Sequence, residues 1–163
     1  MPVPIRMWDV VKEPARTLDW DWARSRLEVA ECYWLVSVSG GGAPSPRPVW
    51  GVWLFDRLLL SVGSPSHWRN VSANHRVAVH LGDPLDVVLV EGLAHQATGP
   101  ALFETFVSAY NEKYNWNFEA TMDMVVNGVL EVVPSLVLAW IAADAAHSST
   151  DMDFPEAAGK WRF

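Results

Sequence analysis

The densest group of residues that could do chemistry is Leu60-Ser61-Val62-Gly63-Ser64-Pro65-Ser66-His67-Trp68-Arg69-Asn70. An apolar run ends there in small polar residues, and a helix start follows at once. Ser64 suits an N-cap, with Pro65 at the first helical position. A helix N-terminus presents free backbone N–H groups and a partial positive charge, so it binds phosphate. Ser61, Ser64 and Ser66 add hydroxyl donors, and Arg69 adds a guanidinium further along the helix. A charge-assisted bond of that kind contributes ~1.5–3 kcal/mol. Taken alone, the segment is accounted for by an ordinary capped helix with a surface arginine.

The charge around it adds to the case. Between Gly40 and Leu81, four arginines (Arg47, Arg57, Arg69 and Arg76) stand against one acid, Asp56, a local +3 in a chain of net charge −7. Such an island suits a small anionic ligand, although chance clustering of solvated arginines gives the same count. The acidic total argues against nucleic acid, whose phosphates require a basic surface.

Other reactive side chains offer less. His67, His75, His80, His95 and His147 form no pair at metal-ligand spacing, so no metal site is expected. No Gly-x-Ser-x-Gly elbow is present. Cys32, the single cysteine, opens the apolar run Cys32-Tyr33-Trp34-Leu35-Val36 and reads as a buried structural thiol. Asp151, Asp153 and Glu156 belong to a polar tail and read as solvated. Tyr33 and His80 can each donate a proton from a strand, but no catalytic residue is assigned.

The elements that must position these groups follow from local pattern. Leu18 to Ala30 reads as a helix, with Leu18, Trp22, Leu27 and Ala30 on one face. Strands are expected at Cys32–Val38, Arg47–Phe55, Leu58–Val62, Val77–Leu81, Asp86–Thr98, Leu130–Val133 and Leu136–Ile141. The second and third would join at Asp56-Arg57, and Pro134 would mark a bend or edge. A short helix is expected from Pro65 to Asn74, and a second from Pro100 to Tyr114 whose apolar stripe faces a core. The tail reads as loose until Trp161-Arg162-Phe163. Short strands joined mostly by turns imply a mainly β (α+β) barrel of about six to seven antiparallel strands with appended helices.

At 163 residues, half of them apolar, the chain reads as a single domain over 1–163. No signal-peptide pattern and no run near the ~20 apolar residues of a membrane span is evident, so the expectation is a cytoplasmic protein without a membrane partner. Ten tryptophans are more than a monomer of this size needs, and interface cores favour aromatics, so a homodimer is expected. Some of these indoles could instead wall a site for a flat ring.

Several segments in order resemble the pyridoxamine-phosphate-oxidase-like split-barrel family: Arg47-Pro48-Val49-Trp50-Gly51-Val52-Trp53, the serine turn, Arg69-Asn70-Val71-Ser72-Ala73-Asn74-His75-Arg76-Val77 and Val87-Val88-Leu89-Val90-Glu91-Gly92. Ala109-Tyr110-Asn111-Glu112-Lys113-Tyr114, Val137-Leu138-Ala139-Trp140 and the closing Trp161-Arg162-Phe163 resemble a branch of it. The resemblance implies a homodimer that holds FMN or the deazaflavin coenzyme F-420 between its subunits and acts on a small organic substrate. It further implies that Arg47, Val49 and Trp50 run along the cofactor. Ser61, Gly63, Ser64 and Ser66 would approach its phosphate, with Arg69 as a basic partner. Trp68 stands where many members carry Lys, Asn74-His75-Arg76-Val77 replaces Asn-Pro-Arg-Val, and the C-terminal Arg-x-His of the vitamin B6 oxidases is absent. On the same fold, a non-catalytic cofactor-binding protein or a haem-binding protein is the alternative.

Overall fold

Residue patterning makes the elements, and long-range pairing makes the barrel. The computed structural model describes residues 1–6, 14, 16–117, 128–142 and 157–163. Asp151, Asp153, Glu156 and His147 lie outside them. The described elements are β1 (Val3–Pro4), β2 (Arg16–Thr17), α1 (Trp20–Val29), β3 (Tyr33–Val38), β4 (Pro44–Leu54), β5 (Arg57–Ser61), α2 (Pro65–Ala73), β6 (Arg76–His80), β7 (Asp86–Gln96), α3 (Pro100–Tyr114), β8 (Val129–Ile141) and β9 (Ala157–Arg162).

Six strands close into a barrel in the order β8-β5-β4-β3-β6-β7, the β7–β8 pairing completing the circuit. Every pairing in that circuit is antiparallel. Closure removes the unpaired edges that would otherwise template aggregation. The interior is apolar: Tyr33, Leu35, Leu58, Leu60, Val79, Val88, Val90 and Val132 are all fully buried. Burying a side chain of this size stabilises the fold by ~1.5–3 kcal/mol.

Local signals explain the helices. Asp19 caps α1 by accepting from the Trp22 N–H at 2.8 Å, so the helix starts after Leu18 rather than at it. Ala23 and Leu27 enter the core, and Arg26 ties the helix to Asp86 of β7 at 2.8 Å. The stripe Phe103, Phe106 and Tyr110 of α3 packs with Val52, Leu59, Ala97 and Val129 on the outside of the barrel, a core-facing stripe as expected.

Further boundaries differ from the sequence-based expectation. The strand expected from Arg47 begins at Pro44, because Pro44, Ser45 and Pro46 pair with Val38, Ser37 and Val36 of β3. The hairpin between β4 and β5 turns on Phe55 and Asp56, both at positive φ (53° and 56°), not on Asp56-Arg57. Two consecutive left-handed residues match the strand twist of a tight hairpin. The two strands expected on either side of Pro134 are one, β8. A bulge absorbs the proline: Glu91 pairs with Leu136 and Gly92 with Pro134, leaving Ser135 as the extra residue. A Cβ at Gly92 would lie 2.4 Å from the Val133 carbonyl oxygen, so only glycine fits opposite that bulge. Finally, β9 begins at Ala157, and pairs with β8, β1 and β2. Its Ala-Ala-Gly-Lys start lacks β propensity. Tertiary packing overrides it, because Trp161 is buried and its ring stacks edge-on against Trp20 at 5.4 Å.

Candidate functional site

β4 changes partner halfway along its length. Residues 44–49 pair with β3, and residues 50–54 pair with β5. Trp50 opposite Ser61 is the last pair of the β4–β5 ladder. Beyond it the chain after β5 turns through Gly63 and Ser64 into α2, while β4 runs back along β3. The parting makes a fork with α2 at its head.

Prolines keep the fork open. Pro44, Pro46 and Pro48 alternate along β4, opposite Val38, Val36 and Trp34. The Ser39 N–H bonds the Ala43 carbonyl at 2.9 Å, which sets the phase of the hairpin. Ser45, Arg47 and Val49 then exchange the ladder bonds with β3, and the prolines fall where an N–H would point away from it. That edge of β4 therefore offers no donors for another strand.

Strand alternation divides the predicted residues into two groups. Val49 packs against the barrel core, and Arg47 shares its phase on β4. On that side α2 carries a buried polar cluster: His67 Nδ1 lies 2.8 Å from Ser37 Oγ, and Asn70 Nδ2 donates to the same oxygen at 3.0 Å. Because Ser37 accepts from Asn70, its own proton is free to go to His67 Nδ1. His67 Nε2 is buried with no partner. Burial, then the positive charge of Arg47, holds the His67 pKa below its ordinary value, so the ring is neutral.

Ser64 is the N-cap residue of α2, with Pro65 in the first turn, as the sequence predicts. Its hydroxyl makes no capping bond and instead lies 2.7 Å from the Ser66 hydroxyl. The helix start is thus not closed by its own cap. Gly63 is exposed, and a Cβ there would meet nothing within 4 Å. Arg69 is exposed on α2, and Trp68 is anchored by an Nε1 bond to the Val62 carbonyl at 3.1 Å.

Trp50 and Ser61 face the other side, toward α3. Burial pushes the Tyr110 phenol pKa up, and the nearby Ser61 hydroxyl offsets part of that push. Trp50 meets Trp116 edge-to-face at 5.4 Å and Tyr114 at 6.2 Å. Asn115 ends α3 in the left-handed conformation (φ 51°), and the chain folds back so that the Trp116 N–H bonds the Asn111 carbonyl at 3.1 Å. Trp50 and Trp116 each remain about half exposed (48% and 50%), so an aromatic surface stands open beside the fork.

Lys113 pins this corner together. Its Nζ donates to Tyr33 Oη at 2.9 Å and to the Gly51 carbonyl at 3.0 Å, and it lies 4.9 Å from the centre of the Tyr33 ring. Burial pulls its pKa down to about 8. Tyr33 donates in turn to the Leu27 carbonyl, and burial drives its pKa far upward, so this phenol is a strut. His80 stacks parallel on Trp34 on the outer face, with Nδ1 on the Leu81 carbonyl at 2.8 Å. Neither Tyr33 nor His80 reaches the fork as a proton donor. A hollow of about 290 Å³ bordered by Arg26, Cys32, Asp83 and Asp86 involves none of the predicted residues.

Sequence reasoning missed Ser37, His67, Lys113, Tyr114 and Trp116. The signal for the last three was present: an aromatic-rich helix end next to a helix-terminating asparagine. Ser37 and His67 are 30 residues apart and give no local signal. Arg57, counted in the cationic island, is committed to Glu131 of β8.

A closed antiparallel barrel whose fourth strand divides its length between two neighbours, with a helix starting at the parting, is a split barrel. The family model described as pyridoxamine 5'-phosphate oxidase matches residues 21–146, and the chain belongs to that family. Among solved structures it is similar to an F-420 reductase, with 24% identity and a TM-score of 0.56 over 70% of this chain and 94% of that one. It is also similar to an FAD-binding protein from Mesorhizobium loti (12% identity, TM-score 0.56, 90% and 96% covered). A heme binding protein from Mycobacterium smegmatis matches at 20% identity and TM-score 0.58, over 91% of this chain and 62% of that one. No curated protein sequence matches significantly. Among the described residues, no helix is long and apolar enough to cross a membrane.

Proposed function

We propose that the protein binds a flavin-type cofactor, FMN or the deazaflavin coenzyme F-420, in the fork between β4 and the β5–α2 turn. It works there as an oxidoreductase, passing hydride between the cofactor and a small organic substrate. One observation carries the reading: the β4–β5 ladder ends at Trp50 and Ser61, setting a helix start without a side-chain capping bond near Arg47 of β4 and an open aromatic surface. The residues fit the group. Arg69, the Ser64 and Ser66 hydroxyls and the Ser66 N–H in the first turn of α2 take the phosphate, since Pro65 has no N–H and the His67 N–H bonds the Ser64 carbonyl. Arg47 adds positive charge, Val49 and Trp50 run along the ring system, and Gly63 and Ser61 leave room for it. When bound, the cofactor supplies the hydride chemistry, and the protein supplies position, charge and exclusion of water.

The working unit is a homodimer. The outer face of β3 and β4 supports this, presenting Trp34, Val36 and Val38 beside Pro48, Pro46 and Pro44 as one apolar surface. Sedimentation at micromolar concentration is expected to give a dimer, and a monomer alone would overturn that part.

Titration of intrinsic tryptophan fluorescence with FMN, F-420 and haem tests the cofactor. Strong quenching by one of the first two, followed by turnover with a reductant and an acceptor, is the expected result. Absence of quenching by both would defeat the reading. Tight haem binding alone would put a haem protein in its place, and binding without turnover would leave a cofactor carrier.

A further inference from the structure

Where β6 begins, the rings of His75 and His95 lie with centroids 5.2 Å apart and planes 34° apart. We propose that this pair is a two-histidine chelate for a borderline divalent transition-metal ion such as Zn²⁺, Ni²⁺ or Cu²⁺. The geometry carries it. With a metal–nitrogen bond of about 2.1 Å, each imidazole centre sits about 3.2 Å from the ion, and ligand angles of about 90–110° set the two centres about 4.5–5.3 Å apart. The observed separation falls in that range.

The tautomer is also right for one ligand. His75 Nδ1 lies 3.2 Å from the Ala94 carbonyl, which can only accept, so Nδ1 carries the proton. In the neutral ring that leaves the Nε2 lone pair free, the arrangement by which a backbone carbonyl orients a metal-binding histidine. The backbone beneath is rigid. The Ala94 N–H bonds the His75 carbonyl at 2.8 Å, and Asn74 Oδ1 accepts from the Arg76 N–H at 3.1 Å. His95 sits in the β7–β8 ladder opposite Glu131, whose carboxylate is held by Arg57. Both histidines are exposed, so an ion reaches them without rearrangement.

Among the described residues no cluster of three or more His, Cys, Asp or Glu side chains is placed to hold a metal, so water fills the remaining positions. Two imidazoles and water favour nitrogen-seeking ions over Mg²⁺ and Ca²⁺, which take oxygen ligands.

Calorimetric titration of tag-free protein with Zn²⁺, and separately with Ni²⁺, tests the site, with ring-nitrogen NMR to report which imidazoles respond. One ion per chain is expected, with both His75 and His95 shifting together. His75→Ala and His95→Ala should each lower affinity about tenfold or more, because losing one arm removes the effective concentration of the other. The double variant should lose little beyond either single one, since a single arm is already no chelate. His80→Ala, remote and stacked on Trp34, should bind as the parent does. Parent-like binding by either the His75 or the His95 variant, or losses that add independently in the double variant, would overturn the proposal. Circular dichroism of each variant confirms that the surface changes leave the fold intact.

Discussion

Trp50 stands opposite Ser61 as the final pair of the β4–β5 ladder, and both turn toward the end of α3. From that pair onward the two strands serve different neighbours: β4 runs with β3, and β5 leads into α2. Backbone groups normally consumed in a ladder are thereby freed at the point where hydroxyls, arginines and aromatic rings gather.

Arg69 supplies the first test. Its exposed guanidinium on α2 is expected to meet the phosphate, so Arg69→Ala should weaken FMN by ~1.5–3 kcal/mol through the lost charge-assisted bond. Riboflavin, which lacks the phosphate, should be nearly unaffected. Arg57 is a poor control, because it is paired with Glu131. Arg24, exposed on α1 and paired with Asp21 and Glu28, is the better one. Equal losses for FMN and riboflavin would assign Arg69 a structural role.

Trp50 should show the opposite pattern. As a ring-stacking surface it contributes to both ligands alike, so Trp50→Ala is expected to weaken FMN and riboflavin equally, by ~1 kcal/mol each. A loss confined to FMN would place Trp50 near the phosphate instead.

Acid stability should report on His67. Its folded-state pKa lies below the ordinary 6.5, because burial and Arg47 disfavour the charged ring. Below about pH 6.5 the unfolded chain takes up a proton that the folded protein resists, so stability is complete above that value and falls as pH drops toward the folded pKa. Thermal melts of the parent and of His67→Gln between pH 7.5 and pH 5.5 check this. The parent's Tm should fall more steeply on acidification than the variant's, and parallel slopes would count against it.

Lys113 should act in the alkaline range. Its folded pKa of about 8 lies below the unfolded 10.5, so between these values the unfolded chain binds the extra proton and stability rises with pH. Lys113→Met removes that rise. The substitution leaves Tyr33 bonded to the Leu27 carbonyl and the Gly51 carbonyl close to Tyr114, so its cost at neutral pH should stay under ~1 kcal/mol. Melts at pH 7.5 and pH 9.5 should show the parent gaining on the variant. A parent that loses ground over that interval would mean that Lys113 is charged and satisfied in the fold.

Much of this protein was legible from its residues in order. Strand-forming runs, the Ser64-Pro65 helix start and the amphipathic stripe of α3 are local patterns that formed strands and helices where expected, apart from the two runs around Pro134 that join as β8, because local propensity and burial agree there. The ordered motifs also carried the family. What stayed hidden depends on which segment lies beside which. β9 has weak strand propensity and exists because β8 and Trp161 hold it. β4 is legible in sequence only from Arg47 onward, and neither its proline-rich start at Pro44 nor the change of partner at Trp50 that creates the fork has a local signal. Ser37 and His67, and likewise His75 and His95, are unremarkable singly. They meet only because α2 docks on β3 and because β6 pairs with β7. Side-chain period and turn chemistry are written over a few residues, whereas register between distant strands is set by the core as a whole, so these meetings belong to the tertiary structure alone.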